Sequence, residues 1–200
     1  NSSQVAQSSQ QVGEVTQNIR SYYMNAQGIP LAGTAVPGGC ELTRNLPKAI
    51  FPTSMISCPA DTQNLANCAI GSVGKTNVAN SFRVIVPAAC NPNATASSFR
   101  IVLSSLTSDA CVNLLNSGMN YTDNSSGITG VCAGGQGTCA GTATWNNCAY
   151  GRCAVSCLAG KCGIISSPSA RTAYSLQQAR AFCNAQGANN EVSWEFDLRR

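Results

Sequence analysis

The sequence predicts an α+β fold, in which helices and antiparallel strands are grouped along the chain instead of strictly alternating. Three patterns lead to this prediction: a helical stripe at the start, two alternating segments in the middle, and an alternating segment at the end. The chain has 200 residues, which suits one well-cored domain or two small ones. We expect a single domain over residues 1–200.

The first 27 residues carry one narrow stripe of apolar side chains on an otherwise Ser-, Gln- and Asn-rich segment. Its members are Val5, Val12, Val15, Ile19 and Tyr22. Steps of three, four and seven residues place them on one face of a helix, where we expect them to pack. Gly28 and Pro30 would end this helix. The stripe weakens towards the start, which favours the second half of a longer helix over an ordinary packed helix.

Residues 28–80 are rich in Gly, Pro, Asn and Thr and predict a long loop pinned by crosslinks. Within this loop, "AIGSVGKT" at 69–76 resembles a phosphate-binding loop only superficially. The pattern requires glycine where Ala69 stands, and a buried strand before it. We therefore predict no nucleotide site there.

Two alternating segments, "SFRVIVP" at 81–87 and "SFRIVLSSL" at 98–106, predict neighbouring antiparallel strands with a long connection. A short helix is predicted over 107–118, with Thr107 or Ser108 as its N-cap and Gly118 at its end. A later helix is predicted over 174–187, capped by Ser175 and ended by Gly187.

The last ten residues, "EVSWEFDLRR", form the clearest strand pattern. One face is apolar, and the other carries Glu191, Ser193, Glu195, Asp197 and Arg199. We expect this second face to be solvated. Residues 119–170, by contrast, contain too few apolar side chains to fold unaided, so crosslinks must supply the missing stability.

The chain contains 12 cysteines and no histidine. That is far more cysteine than a reduced cytosolic protein usually carries. Cys148, Cys153, Cys157 and Cys162 follow the spacing C-x4-C-x3-C-x4-C, which matches neither zinc knuckles nor plant-type iron–sulfur clusters. The others are scattered: Cys40, Cys58, Cys68, Cys90, Cys111, Cys132, Cys139 and Cys183. Scattering favours disulfides, with a four-thiolate site in 148–162 and free thiols as the alternatives.

Charged residues make up only 10% of the chain, and the net charge is +4 without a long basic run. Nucleic-acid binding therefore has little electrostatic basis. The absence of histidine and of a Gly-x-Ser-x-Gly motif argues against general acid–base and serine-hydrolase chemistry. We predict no enzyme activity, no cofactor and no metal. No run of 18 apolar residues occurs, and an oxidised chain without a leader is expected to be a mature or trimmed form.

The order of these motifs resembles the type IV pilins, and most closely the PilS-like type IVb pilins of thin and bundle-type pili. The likeness lies in a helical stripe ending in "NIRSYY", the pair "FRVIVP" and "FRIVLSSL", then "DACVNLL", and a late "FCN" before "VSWEF". It covers residues 1–118 and 174–200 and rests on the order of these diffuse motifs.

The resemblance implies a long N-terminal helix packed on an antiparallel β-sheet, with the helix's hydrophobic first half missing here. It divides the chain into the second half of that spine helix (1–27), a stapled helix-to-strand loop (28–80), a hairpin with the start of a helix (81–110), a disulfide-rich C-terminal D-region (111–183) and a terminal strand (184–200). The processing site, the methylated first residue and an acidic residue near it would lie upstream.

The resemblance also implies that a disulfide between Cys111 and Cys183 closes the D-region. Three further bonds would form inside it, among Cys132, Cys139, Cys148, Cys153, Cys157 and Cys162. Two more would form in or near the helix-to-strand loop, among Cys40, Cys58, Cys68 and Cys90. This density departs from the usual family pattern of one bond or few, and leaves the internal fold of the D-region open.

The resemblance implies a structural function: a pilus subunit that forms a helical homopolymer outside the cell, for adhesion, aggregation or conjugation-type contact. Its expected partners are other copies of itself, the pilus assembly machinery, the inner membrane that anchors it before assembly, and a host-cell or bacterial surface receptor. The alternatives are a minor or tip pilin acting as an adhesin, and a monomeric secreted disulfide-rich binding protein.

Overall fold

The computed structural model describes residues 2–36, 39–57, 65, 68–70, 81–86, 90–119, 121, 127–137, 139 and 174–199. It is a mixed structure of helices and antiparallel sheet, crosslinked by disulfides. The helices are α1 (Ser2–Tyr22), α2 (Ser108–Asn113) and α3 (Leu176–Phe182). The strands are β1 (Ile29–Pro30), β2 (Ala35–Val36), β3 (Gly39–Glu41), β4 (Ile56–Ser57), β5 (Ala69–Ile70), β6 (Ser81–Val86), β7 (Thr95–Ala96), β8 (Ser98–Leu106), β9 (Ile128–Gly135) and β10 (Asn190–Asp197).

Helix α1 buries most of the predicted stripe. Val12, Val15 and Ile19 are fully buried and Val5 is 4% exposed. The helix contacts α2, the π-helical turn Leu114–Gly118 and the 3-10 turn Lys48–Ile50. These buried side chains belong to the same hydrophobic core as side chains of β6, β8 and β10.

The prediction was wrong for Tyr22, whose side chain is 61% exposed. The helix ends at Tyr22 instead of reaching residue 27, so the chain turns away where the last member of the stripe would have packed. Tyr22 instead lies edge-on against Tyr23, with ring centroids 4.9 Å apart.

The main sheet has six strands in the order β2-β3-β6-β8-β10-β9, and every neighbouring pair is antiparallel. The predicted pairing of 81–87 with 98–106 is confirmed, since β6 pairs with β8 from Ser81↔Ser104 to Ile85↔Arg100. The predicted terminal strand is also confirmed as β10, which lies between β8 and β9. Two short pairs, β1 with β7 and β4 with β5, lie outside this sheet.

Strand β9 is the longest described strand that sequence reasoning missed; the short strands β1 to β5, within the predicted loop 28–80, and β7 were missed as well. The sequence of β9, "ITGVCAGG", contains three glycines, and glycine is depleted in strands. It nevertheless pairs with β10 from Ile128↔Phe196 to Gly135↔Asn190. Tertiary pairing with a buried strand therefore outweighs the low intrinsic preference of this segment.

The two short helices begin where the sequence predicts. The Thr107 hydroxyl accepts from Ala110 N, and Ser175 forms a capping box with Gln178. Helix α3 ends at Phe182, however, and not at Gly187, which lies beyond the helix with φ of +67°. Within the described residues, no helix combines the length and apolar character that a membrane crossing requires.

Candidate functional site

Three disulfides crosslink the described part of the chain. Cys111 of α2 is joined to Cys183 at the end of α3, across 72 residues of sequence. Cys132 of β9 is joined to Cys139, seven residues later, and Cys40 of β3 is joined to Cys90. The first bond is the one that the pilin resemblance implied, and the other two fall within the groups that it implied.

The remaining predicted cysteines stand as follows. Cys68 is also disulfide-bonded. Cys58, Cys148, Cys153, Cys157 and Cys162 lie outside the described residues, and so does the alternative of a four-thiolate site. In the part of the chain that the structure describes, no group of three or more His, Cys, Asp or Glu side chains is arranged to hold a metal ion.

The outer face of β10 is a buried polar cluster, so the prediction of a solvated face was wrong. Glu191 and Ser193 are 1% and 0% exposed. The turn that follows β9 covers Glu191, whereas Glu195 and Asp197 further along this face are half-buried. Only Arg199, beyond the end of β10, is exposed as expected.

The Glu191 carboxylate accepts two backbone hydrogen bonds from the turn that follows β9. The backbone N–H of Gly137 donates to Oε1 at 2.8 Å, and that of Cys139 donates to Oε2 at 2.5 Å. The Ser104 hydroxyl of β8 lies 3.5 Å from Oε1. The carboxylate thereby links the Cys132–Cys139 turn to the middle of the sheet.

A second polar group lies at Glu195, four residues further along β10. Arg100 Nε of β8 donates to Glu195 Oε1 at 2.9 Å, and the two residues are directly opposite each other across the strands. The Thr129 hydroxyl of β9 donates to Glu195 Oε2 at 3.1 Å. Burial lowers the pKa of Arg100 from its ordinary value, and the neighbouring Glu195 carboxylate opposes this effect. The charged pair therefore joins β8 to β10, and the Thr129 hydroxyl adds the edge strand β9.

Two arginines connect the end of α1 to the end of β10. Arg20 donates from Nε and Nη2 to the Asp197 carbonyl at 3.0 and 2.9 Å, and its guanidinium lies 5.8 Å from the Phe196 ring centroid. Arg199 donates to the carbonyls of Met24, Tyr23 and Ala26. These carbonyls belong to the turn that follows the helix, where the Tyr23 carbonyl also accepts from the backbone N–H of Ala26, so Arg199 holds this turn against the end of the chain.

The surface near α1 has two open clefts. The first lies between the helix and the turns that follow β3, has a volume of about 590 Å³, and is lined by Glu14, Asn18, Pro47, Lys48, Ala49, Phe51, Pro52, Thr53 and Ile56. The second, of about 260 Å³, lies at the helix end and is lined by Gln17, Arg20, Ser21, Met24, Leu198 and Arg199. Both are shallow surface features, and neither brings together a nucleophile and a base.

Sequence reasoning missed Glu191 as an anchor because its partners lie more than fifty positions away. The sequence around Gly137 indicates a turn in "GGQGTC". Nothing in it identifies the carboxylate that accepts hydrogen bonds from this turn. No family model, no curated protein and no solved structure matches this chain.

Proposed function

We propose that the chain is the globular part of a type IV pilin of the type IVb group, a structural subunit that polymerises into extracellular filaments. One observation supports this proposal above the others. The Cys111–Cys183 disulfide joins α2 to α3 and closes a segment that returns β9 to the sheet beside β10. A disulfide between Cys111 and Cys183 that closes the D-region is what the family resemblance implied.

The proposal includes a long N-terminal helix lying against the antiparallel sheet. The buried stripe of α1 supports it, because Val12, Val15 and Ile19 share one core with the sheet. The Arg20 contacts with the terminal strand support it as well. In the filament, this helix would continue upstream into a hydrophobic stalk that anchors the subunit in the inner membrane before assembly.

The exposed face of α1 suits contact with further copies. Gln10, Glu14, Gln17 and Ser21 are exposed, so the helix presents a polar surface of low charge. Identical subunits that meet through different surfaces form a helical polymer instead of a closed ring. We propose self-association of this kind, with the assembly machinery and a surface receptor as further partners, and with no enzymatic role.

Two measurements test the proposal. The gene upstream of Asn1 should encode a short basic leader and an apolar run of about twenty residues, the length that spans a bilayer. Antibodies raised against the folded chain should label filaments sheared from the cell surface along their whole length. Labelling at filament ends alone would identify a tip subunit. Recovery only as a secreted monomer, without an upstream apolar run, would contradict the pilin assignment.

A further inference from the structure

We propose that Glu191 and the Cys132–Cys139 bridge act as one latch, in which the buried carboxylate holds the turn that the bridge closes. The latch consists of Cys132, Gly137, Cys139 and Glu191. This inference rests on contacts inside the chain, so it stands or falls independently of the pilin proposal.

The geometry of the latch is specific to the closed turn. Each oxygen of the Glu191 carboxylate accepts one backbone N–H from the turn, from Gly137 at 2.8 Å and from Cys139 at 2.5 Å. Gly137 has φ of +91°, a conformation that glycine adopts without strain. A further bond, from Gln136 N to the Asn189 carbonyl at 2.8 Å, holds the start of the turn against the residue before β10.

The charge of Glu191 makes these contacts important. Its side chain is almost entirely buried, and a buried carboxylate is costly unless it is paired or hydrogen-bonded. The two ion pairs among the described residues join Arg83 to Glu41 and Arg100 to Glu195, so neither includes Glu191. Charge-assisted hydrogen bonds from the turn stabilise the carboxylate, and movement of the turn would remove them.

The bridge and the carboxylate require the same backbone conformation. Cys132 is held in β9 opposite Ser193, and Cys139 reaches it only if the chain reverses within seven residues. Docking of the turn on Glu191 enforces this reversal. Coupling between two such equilibria is reciprocal. Docking of the turn on Glu191 therefore raises the equilibrium constant for bridge formation by the same factor by which the bridge raises the equilibrium constant for docking.

The latch also controls reduction of the bridge. A thiolate of a dithiol reductant attacks one sulfur, the S–S bond breaks, and a mixed disulfide forms. The second thiol of the reductant then attacks the mixed disulfide and releases the remaining protein cysteine. The products are two cysteine thiols and an oxidised, cyclic reductant. Cys132 and Cys139 are both fully buried, so the reductant reaches them only after the turn leaves Glu191.

The test compares Glu191→Gln with Glu14→Gln, which removes an exposed carboxylate from helix α1. Each protein is treated with dithiothreitol, quenched by alkylation over time, and analysed by peptide mass spectrometry. We expect Glu191→Gln to accelerate reduction of Cys132–Cys139 about ten- to hundredfold, the range for losing hydrogen bonds to a charged group. Glu14→Gln should leave this rate within about twofold of the wild type.

The Cys111–Cys183 bridge is the internal reference, and its reduction rate should stay unchanged in both variants. Wild-type reduction of Cys132–Cys139 in Glu191→Gln would overturn the latch. Equal acceleration of both bridges would overturn it too, because that result indicates general loosening of the fold.

A reciprocal measurement decides the question if Glu191→Gln does not fold. In the double variant Cys132→Ala with Cys139→Ala, hydrogen-exchange protection of the amides at 137 and 139 should fall by a similar factor, about ten- to hundredfold. Amides of β6 and β8 should keep their protection. Unchanged protection at 137 and 139 would overturn the proposal.

Discussion

At the scale of single residues, the Arg100–Glu195 pair shows that a chain with few charged residues can pair two of them across neighbouring strands of the sheet. The Arg100 side chain is 7% exposed and that of Glu195 is 26% exposed. Each removes the cost of burying the other, and Thr129 satisfies the second carboxylate oxygen. A buried pair contributes less than its attraction suggests, but removal of one partner leaves an uncompensated charge.

We therefore expect Arg100→Met to destabilise the protein by about 2–3 kcal/mol. This is below the usual cost of breaking a fully buried pair, because Glu195 retains some contact with water. Urea denaturation measures the change, and Arg180→Met, at an exposed arginine of α3, is the control. Replacing both partners at once, Arg100→Met with Glu195→Leu, should recover most of the loss. A double variant as unstable as the single one would show that the pair is not the cause.

At the scale of elements, the end of α1 and the end of β10 hold each other through side chains and backbone carbonyls. Arg20 reaches from the helix to the strand, and Arg199 reaches from the strand to the helix. Such reciprocal contacts hold the turn after the helix against the end of β10. Helix and strand are thus coupled at a junction that local sequence does not reveal.

Arg20→Ala should lower the free energy of unfolding by about 1–2 kcal/mol, from loss of two hydrogen bonds and one cation–π contact. Arg20→Lys should recover only part of this, because an ammonium group cannot reproduce the two-pronged contact with the Asp197 carbonyl. Gln17→Ala, at an exposed position one turn earlier, should change stability by less than about 0.5 kcal/mol. Chemical denaturation at fixed pH measures all three. Equal effects of Arg20→Ala and Gln17→Ala would contradict the junction.

At the scale of the whole molecule, disulfides restrain the chain over both long and short stretches of sequence. The bridges differ widely in sequence separation, from seven residues for Cys132–Cys139 to 72 for Cys111–Cys183. On the chain-entropy model, a longer closed loop restrains the unfolded chain more strongly. The long bridge should therefore contribute most to global stability, whereas the short one acts locally.

Removal of Cys111–Cys183 by a double alanine substitution should cost about 4 kcal/mol, and removal of Cys132–Cys139 about 2–3 kcal/mol, on the same model. Urea unfolding of the two variants, with mass mapping of the remaining bridges, gives the comparison. A greater loss from the short bridge would show that native contacts, and not loop length, dominate. Mapping that finds Cys111 or Cys183 paired elsewhere would remove support for the D-region.

Except for β9, the longer helices and strands could be predicted because their signals are local. The alternation of Val192, Trp194 and Phe196 identifies β10 wherever it lies in the fold, since a strand alternates faces at every residue. Thr107 and Ser175 likewise identify helix starts by chemistry that acts within one turn. Burial of Ile19 follows from helical spacing alone.

The remaining features depend on partners far away in the sequence. Gly-rich β9 forms a strand because it pairs with the edge of β10. Tyr22 is exposed because helix α1 ends at this residue. Glu191 is buried because a turn more than fifty positions earlier closes over it.

By itself, the sequence determined the helical stripe, the β6–β8 pair, the terminal strand and an oxidised, weakly charged chain, because periodicity and composition act over a few residues. Only the tertiary structure decided the strand order, the burial of the polar face of β10 and the particular cysteine pairs. Those depend on which distant surfaces meet, and many pairings of the same local elements would satisfy the same local rules.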